Sequence, residues 1–500
     1  MKRFYTQNIN FPIILRMIGW LLMIEAGFMS IPLCVSLYYY FFEGVASELH
    51  VAWAFGYSVG ITLATGFLMT TLIHPSTLSM QRREGFLLTA VTWVFFSAFG
   101  MLPFLFSGSI DNVADAFFET MSGFTTTGAT VIRDVDHTAK GILFWRALTQ
   151  WIGGMGIIVF TLAVLPMLNY KGGIALFNAE VPGITHERLR PRVSQSAKSL
   201  WAMYIILTAI LAVLLMFGPM DWFDSVCQTM STVSTGGFST KTIGLGYWHN
   251  YYSDVMIMIF MFLCGTNFTL LFQASGGKLG VFWKSNTFKW YLGETVLVSV
   301  IIILRMWTEG FLDNWPDRIL FSFFDTISGI TSTGFSTYSY EKSGEFISFV
   351  LMIAMFFGGM TGSTAGGAKI DRMVVMLKNT RNEFYRALHP NAVTSVRVDG
   401  RAVPHDIVAK VIAFLCIYVL ILVAVALVLS MMGLPIFDAL FSSMSALSNV
   451  GFGYGLTGDT GSFALLPDFG KWLLSLEMMV GRLELFTVLV ILTRDFWVKD

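Results

Sequence analysis

Apolar stretches long enough to cross a hydrocarbon core of about 30 Å recur along the chain, and short polar runs separate them in a repeating order. The first two, near 12–42 and 51–73, are joined by a short turn. After the linker Gln81-Arg82-Arg83-Glu84 a unit begins that occurs four times. It consists of a long apolar segment, a short amphipathic one, a polar phrase closing on glycine, and a second long apolar segment. The predicted spans are 85–107 and 142–168, then 198–218 and 248–273, then 288–308 and 345–376, and finally 406–432 and 468–493. The short segments, 113–124, 222–233, 318–330 and 436–447, reach about half way across a bilayer. They must re-enter rather than cross, which lipid tolerates only where protein surrounds them.

The polar phrases are Thr125-Thr126-Thr127-Gly128-Ala129-Thr130, Ser234-Thr235-Gly236-Gly237-Phe238-Ser239, Thr331-Ser332-Thr333-Gly334-Phe335-Ser336 and Ser448-Asn449-Val450-Gly451-Phe452-Gly453. At one fixed offset before each glycine stand Met121-Ser122, Met230-Ser231, Ile327-Ser328 and Met444-Ser445, with Asp115, Glu119, Asp224, Asp325 and Asp438 further back. One such phrase could be an ordinary turn between membrane helices; four in one context make an internal repeat. The pattern predicts an all-α polytopic membrane protein of about ten transmembrane helices. An N-terminal helix pair (1–80) precedes four helix–re-entrant loop–helix repeats, at 81–170, 171–277, 278–390 and 391–500.

Composition agrees with a lipid setting. The chain is 55% hydrophobic and 13% charged, against about a quarter charged for soluble domains. Lys+Arg and Asp+Glu are equal at 32 each, so net charge gives no argument for nucleic acid. Cys34, Cys227, Cys264 and Cys416 lie in apolar segments without CxxC or Cys/His spacing, and read as buried free thiols. The seven histidines are dispersed, mostly in connections. No nucleophile–base or metal-ligand spacing appears, so an enzyme is not expected. Lys2 and Arg3 precede an apolar run from Phe11 to Phe42, too long for a signal-peptide core and without a cleavage site after it; it reads as a first membrane helix. Glu25 within it is costly against lipid and should face protein.

The distribution of charge sets orientation. Lys2, Arg3, Arg82, Arg83, Lys171, Arg188, Arg190, Arg192, Lys198, Lys278, Lys284 and Lys289 fall on one side, as do the basic residues from Lys369 to Lys410, Arg494 and Lys499. The opposite connections carry Asp111, Asp115, Asp221, Asp254, Asp313 and Asp459. The positive-inside rule then puts both termini in the cytoplasm and opens the phrases to the outside.

A re-entrant helix points its C-terminal carbonyl end, the negative end of its dipole, at the middle of the membrane. Four of them around an axis would stabilise a dehydrated cation. The phrases that follow can present backbone carbonyls in place of a monovalent cation's hydration shell, with glycine permitting the dihedrals. The acidic residues near the outer ends of the short helices would draw cations to the mouth. In the third unit the second span is interrupted by Phe357-Gly358-Gly359-Met360-Thr361-Gly362-Ser363-Thr364-Ala365-Gly366-Gly367-Ala368-Lys369, where each glycine costs a helix about 1 kcal/mol relative to alanine. It is no phosphate loop, since Ile370 replaces Ser/Thr and no strand precedes it. It is either an irregular stretch lining a cavity or a kink. Arg482, deep in the last span, should face the pore or pair, with Glu484 or the glycine-rich stretch as candidate partners. Gly153-Gly154-Met155-Gly156 and Cys264-Gly265-Thr266 hold matching places, where close helix approach is expected. The basic stretch from Arg372 to Lys410 reads as a solvated loop against anionic lipid.

The four-fold span–loop–span plan, with TTTGAT, STGGFST, STGFST and SNVGFG, resembles the Trk/Ktr/HKT superfamily of potassium transporters over nearly the whole chain. The extra N-terminal pair makes it most similar to the bacterial TrkH/TrkG branch. That resemblance implies four fused units, each like a simple potassium-channel subunit, around one pore. It makes Gly128, Gly237, Gly334 and Gly451 the filter glycines, with the carbonyls just before them binding potassium: Thr126, Thr127, Thr235, Gly236, Ser332, Thr333, Asn449 and Val450. Each copy lacks a full TVGYG run, which implies looser discrimination among alkali cations, while glycine in the first copy favours potassium. Ala129 departs from the Phe of the second and third copies, and the doubled Gly236-Gly237 leaves that register open by one residue. The resemblance further implies a gate made of Gly358, Gly359, Gly362, Gly366, Gly367 and Lys369 with Arg482; a buried structural ion pair is the other reading of Arg482. It implies residence in the bacterial inner membrane, a homodimer, a cytoplasmic ring of separate nucleotide-binding TrkA-type subunits, and no cofactor in this chain. An ion-coupled potassium symporter, driven by protons or sodium, is the alternative to a channel.

Overall fold

In the computed structural model the described residues are 9–75, 80–154, 156, 193–458 and 461–498. Lys2, Arg3, Lys171, Arg188, Arg190, Arg192, Asp459, Lys499, the stretch 157–168 of the expected fourth span and the 170/171 boundary lie outside them.

The N-terminal hairpin is α1 (Phe11–Phe42) and α2 (Ser47–Leu72). Two glycines seat it. A Cβ on Gly19 would stand 2.9 Å from the Gly66 carbonyl oxygen, and one on Gly66 2.7 Å from that of Gly19, the close backbone approach that membrane helices use in place of a hydrophobic driving force. Glu25 is buried on the protein side of α1, near Gly100, Thr120 and Phe124.

The first spans of the four units are long helices. They are α3 (Arg82–Gly100) continued by α4 (Leu102–Phe106), α7 (Val193–Met216), α12 (Asn286–Glu309) and α16 (His405–Met431). The short amphipathic helices fall on the expected segments: α5 (Val113–Phe124), α8 (Trp222–Val233), α13 (Trp315–Ile330) and α17 (Ile436–Ser448). Asn112 and Asp221 cap the first two through the amides of Ala114 and Asp224. Asp115, Asp224, Asp317 and Asp438 stand in the four first turns, where the helix dipole favours negative charge.

The second spans depart from the expected plan. The first is described only as α6 (Lys140–Gly154). The second breaks into α9 (Tyr251–Cys264) and α10 (Phe268–Ser275), bent by 107° across Gly265-Thr266-Asn267. The third is α14 (Glu345–Phe357) and α15 (Ile370–Leu388), separated by Gly358–Lys369, with α11 (Gly280–Lys284) earlier in the same unit. The fourth is α18 (Asp468–Arg482) and α19 (Leu485–Leu492), followed by α20 (Arg494–Trp497). Among the described residues six helices are long and apolar enough to span, or seven counting the bent pair. Left-handed dihedrals at Gly358, Lys369 and Glu484 (φ +71°, +72° and +65°) stop the right-handed helix.

Two further expectations are corrected. The segment from Arg372 to Lys410 is not a plain loop, since α15 runs to Leu388 and a small hairpin follows. Its strands β1 (Arg397–Val398) and β2 (Arg401–Ala402) pair antiparallel across Asp399-Gly400, both at positive φ, a two-residue turn of the type that asks for Asp-Gly. Cys227 and Cys264 are buried, but Cys34 and Cys416 are exposed. Both lie on outward faces of spanning helices, where an apolar thiol costs little against acyl chains.

Candidate ion-conduction site

Each short helix ends in the same way. The amides of Thr126, Thr235, Ser332 and Asn449 donate to carbonyls three residues back. Those of Thr127, Gly236, Thr333 and Val450 reach five back, to Ser122, Ser231, Ser328 and Ser445, at 2.8–2.9 Å. This is the Schellman closure, with its left-handed residue just past the helix end. That residue is Thr126, Thr235, Ser332 or Asn449, at φ +54° to +55°. The serine at the fixed offset thus supplies the main-chain carbonyl that closes each short helix. Two residues on, Gly128, Gly237, Gly334 and Gly451 sit at φ +78° to +88°, and the match places Gly237, not Gly236, with the other three.

The four phrases touch in a closed cycle. A Cβ on Gly128 would fall on the carbonyl oxygen of Gly236, one on Gly237 on that of Thr333, one on Gly334 on that of Val450, and one on Gly451 on that of Thr127. Each accepting carbonyl belongs to the residue just before the next phrase's glycine. Asn449 Nδ2 also donates to Thr127 Oγ1 at 3.0 Å, joining the last phrase to the first. Thr126, Thr127, Thr235, Ser332, Thr333, Asn449 and Val450 are buried, while all four glycines line one open pocket of about 470 Å³.

The lining of that pocket is basic rather than acidic. Among the described residues it holds Arg133, Arg146 and Lys241 but no carboxylate. Three of the acids stitch the scaffold. Glu119 pairs with Arg146 at 2.8 Å, both almost fully buried, and takes the Val131 amide on its other oxygen. Arg146 also donates to Ser239 O and Thr130 Oγ1 at 3.1 Å each, with its guanidinium over the Phe238 ring. Asp115 pairs with the buried Lys471, and Asp438 accepts from the Leu456 amide. The sequence reading passed over Arg146, although an arginine inside the apolar segment 142–168 is itself a signal.

Glycines of the second helices lie directly beneath the short helices. A Cβ on Gly153 would fall on Phe124 O and one on Gly481 on Leu447 O, while Gly154 lies against Ser234 and Gly265 against Thr331. The glycine-rich stretch runs under the phrases. Its Gly366 amide donates to Ser332 Oγ at 2.6 Å, and the Cβ it lacks would fall on Ser448 O. Thr364 Oγ1 donates to Val233 O, and Asn267 Nδ2 donates to Thr361 O at 2.7 Å. Gly359 packs on Ala365 and Gly265 O, Gly362 on Asn267, and Gly358 and Gly367 on each other; Lys369 turns back to Ala365 O. Of the two candidate partners for Arg482, the geometry selects the glycine-rich stretch: Nη1 donates to Thr364 O at 2.8 Å and Nη2 to Gly153 O at 2.9 Å. Glu484 pairs instead with Arg372. The stretch is therefore tied to all four units at once.

The sequence model of the TrkH family, described as a cation transport protein, matches residues 58–497. The chain is 36% identical over 491 residues to the Trk system potassium uptake protein TrkH of Salmonella typhimurium, covering 98% of this chain and 99% of that one. It is 31% identical over 488 residues to the Trk system potassium uptake protein TrkG of Escherichia coli K12, covering 97% and 98%. The crystal structure of the potassium transporter TrkH from Vibrio parahaemolyticus superposes with a TM-score of 0.86 at 33% identity, covering 98% of this chain and all of that one. The chain is a membrane transport protein rather than an enzyme, and it belongs to the TrkH family.

Proposed function

We propose that this chain is the potassium-conducting pore subunit of a Trk-type uptake system in the bacterial inner membrane, with both termini cytoplasmic. The observation that carries the reading is the closed cycle of four backbone phrases, each setting a carbonyl against its neighbour's glycine. Carbonyls so placed can replace the hydration shell of a potassium ion. The carbonyls of Thr126, Thr127, Thr235, Gly236, Ser332, Thr333, Asn449 and Val450 are the ligands, and Gly128, Gly237, Gly334 and Gly451 keep the axis clear. The chain divides into a helix pair (1–80) and pore repeats 81–170, 171–277, 278–390 and 391–500. The stretch Gly358–Lys369 is the gate beneath the filter, held shut by Arg482 through Thr364 and Gly153. Two copies assemble as a homodimer, and a separate nucleotide-binding ring of the TrkA type docks on the cytoplasmic face.

Purified protein in liposomes with a potassium gradient alone tests the channel. Flux is expected without any second gradient; flux only when a proton or sodium gradient is added replaces the channel by a coupled symporter.

A further inference from the structure

Three of the four phrases carry a side chain just before the glycine: Thr127, Thr333 and Val450, all buried. The second carries Gly236, and the missing side chain is supplied from elsewhere. Gln150, on α6, reaches in so that a Cβ on Gly236 would stand 2.5 Å from its Cδ and 2.9 Å from its Cγ. Its amide spans the neighbouring glycine on both sides. Nε2 donates to the Gly236 carbonyl at 2.6 Å, and Oε1 accepts from the Phe238 amide at 3.1 Å. The side chain is fully buried, so both of its bonds matter: a buried amide is stable only when satisfied.

The same place on two other second helices holds methionine. Gln150 stands three residues before Gly153, which lies on Phe124 O; Met478 stands three before Gly481, which lies on Leu447 O. It stands four before Gly154, packed on Ser234; Met261 stands four before Gly265, packed on Thr331. Methionine has no hydrogen to donate. The chain has thus exchanged the partition found in two other units, a side chain on the phrase and methionine on the helix, for glycine on the phrase and glutamine on the helix.

We infer that Gln150 is a positioning residue for the Gly236 carbonyl and sets the selectivity of the ring at that one ligand. The inference rests on the filter reading above. A carbonyl oxygen has two lone pairs; at Gly236 one is committed to Gln150, which fixes its direction, and the other remains for the ion. Without the donor, the carbonyl of a residue that lacks a side chain is free to turn. The ring then accommodates ions of different radius more equally.

The test measures rubidium, potassium and sodium uptake in cells lacking their own potassium uptake systems and expressing the full chain. Gln150→Met keeps the length and removes the amide. It should still take up rubidium but lower the potassium-to-sodium ratio roughly two- to tenfold, the equivalent of one net hydrogen bond. Gln150→Glu, which sets an acceptor against the Gly236 oxygen, should lower the ratio further. Gly236→Thr should abolish uptake, and Gln150→Ala/Gly236→Thr should recover part of it by making room for the threonine side chain. An unchanged ratio in both Gln150→Met and Gln150→Glu, or a double variant no better than Gly236→Thr, overturns the role of Gln150. Failure of the filter reading is told apart by Gly334→Asp: full uptake there removes the filter itself, whereas loss of uptake there with parental ratios at Gln150 removes only this inference.

Discussion

Neutralising one member of the Glu119–Arg146 pair should unsettle two phrases at once. Arg146 binds Glu119, Thr130 and Ser239, and Glu119 takes the Val131 amide, so the pair ties α5 to the outer ends of the first and second phrases. Both side chains are at most 2% exposed. Removing one leaves an uncompensated buried charge, at about 3–5 kcal/mol. Replacing both, as Glu119→Leu/Arg146→Met, removes the charges together and leaves the Val131 amide and Ser239 carbonyl to find new partners, at about 1–3 kcal/mol each. The double variant should therefore lose less stability than the two single variants combined, by roughly 4 kcal/mol on these figures. Denaturant unfolding in detergent micelles, followed by tryptophan fluorescence across the four members of the cycle, measures that difference. Strict additivity would refute the reasoning, because it would mean that the two groups do not need each other.

Gly334→Ala should abolish rubidium uptake, because its Cβ has no room beside the Val450 oxygen, whereas Gly400→Ala, at the same φ of +78° in the open hairpin turn, should cost about 1 kcal/mol and leave uptake intact. Arg482→Ala, and separately deletion of residues 359–367, should raise basal conductance in liposomes; parental conductance in both places the gate elsewhere. In the connection between the first phrase and α6, His137 hydrogen-bonds to Asp134, which raises the imidazole pKa above its ordinary 6.5 and lowers that of the carboxyl. Their attraction is lost as pH falls through the lowered Asp134 value and as it rises through the raised His137 value. NMR should show the His137 midpoint above 6.5 and returning towards it in Asp134→Asn, with uptake unchanged because both side chains are largely exposed.

The short helices were legible because an amphipathic run of 12 to 16 residues ending in a polar glycine phrase has few other structures open to it in a membrane. The glycine run after Phe357 likewise announced its own break. The breaks after Cys264 and Arg482 did not, since Leu483-Glu484 reads as continued helix and Glu484 takes its left-handed backbone in a setting where Arg372, from a distant segment, holds its side chain. Asp399-Gly400 carried a hairpin signal that the surrounding basic residues obscured. Arg146 and Gln150, four residues apart on one helix face, carried a signal as polar residues within an apolar span. What they bind depends on which phrase the fold sets beside them, and spacing along the chain does not contain that. The acidic residues suited a cation by their sign; the buried basic partners of Glu119 and Asp115, Arg146 and Lys471, lie on other segments.

Crystals of the full chain grown in rubidium test the central claim most directly, through the anomalous scattering of the ion. A peak on the axis among the carbonyls of Thr127, Gly236, Thr333 and Val450 is the predicted result. Ordered rubidium elsewhere in the protein, with none within that cycle, would contradict it.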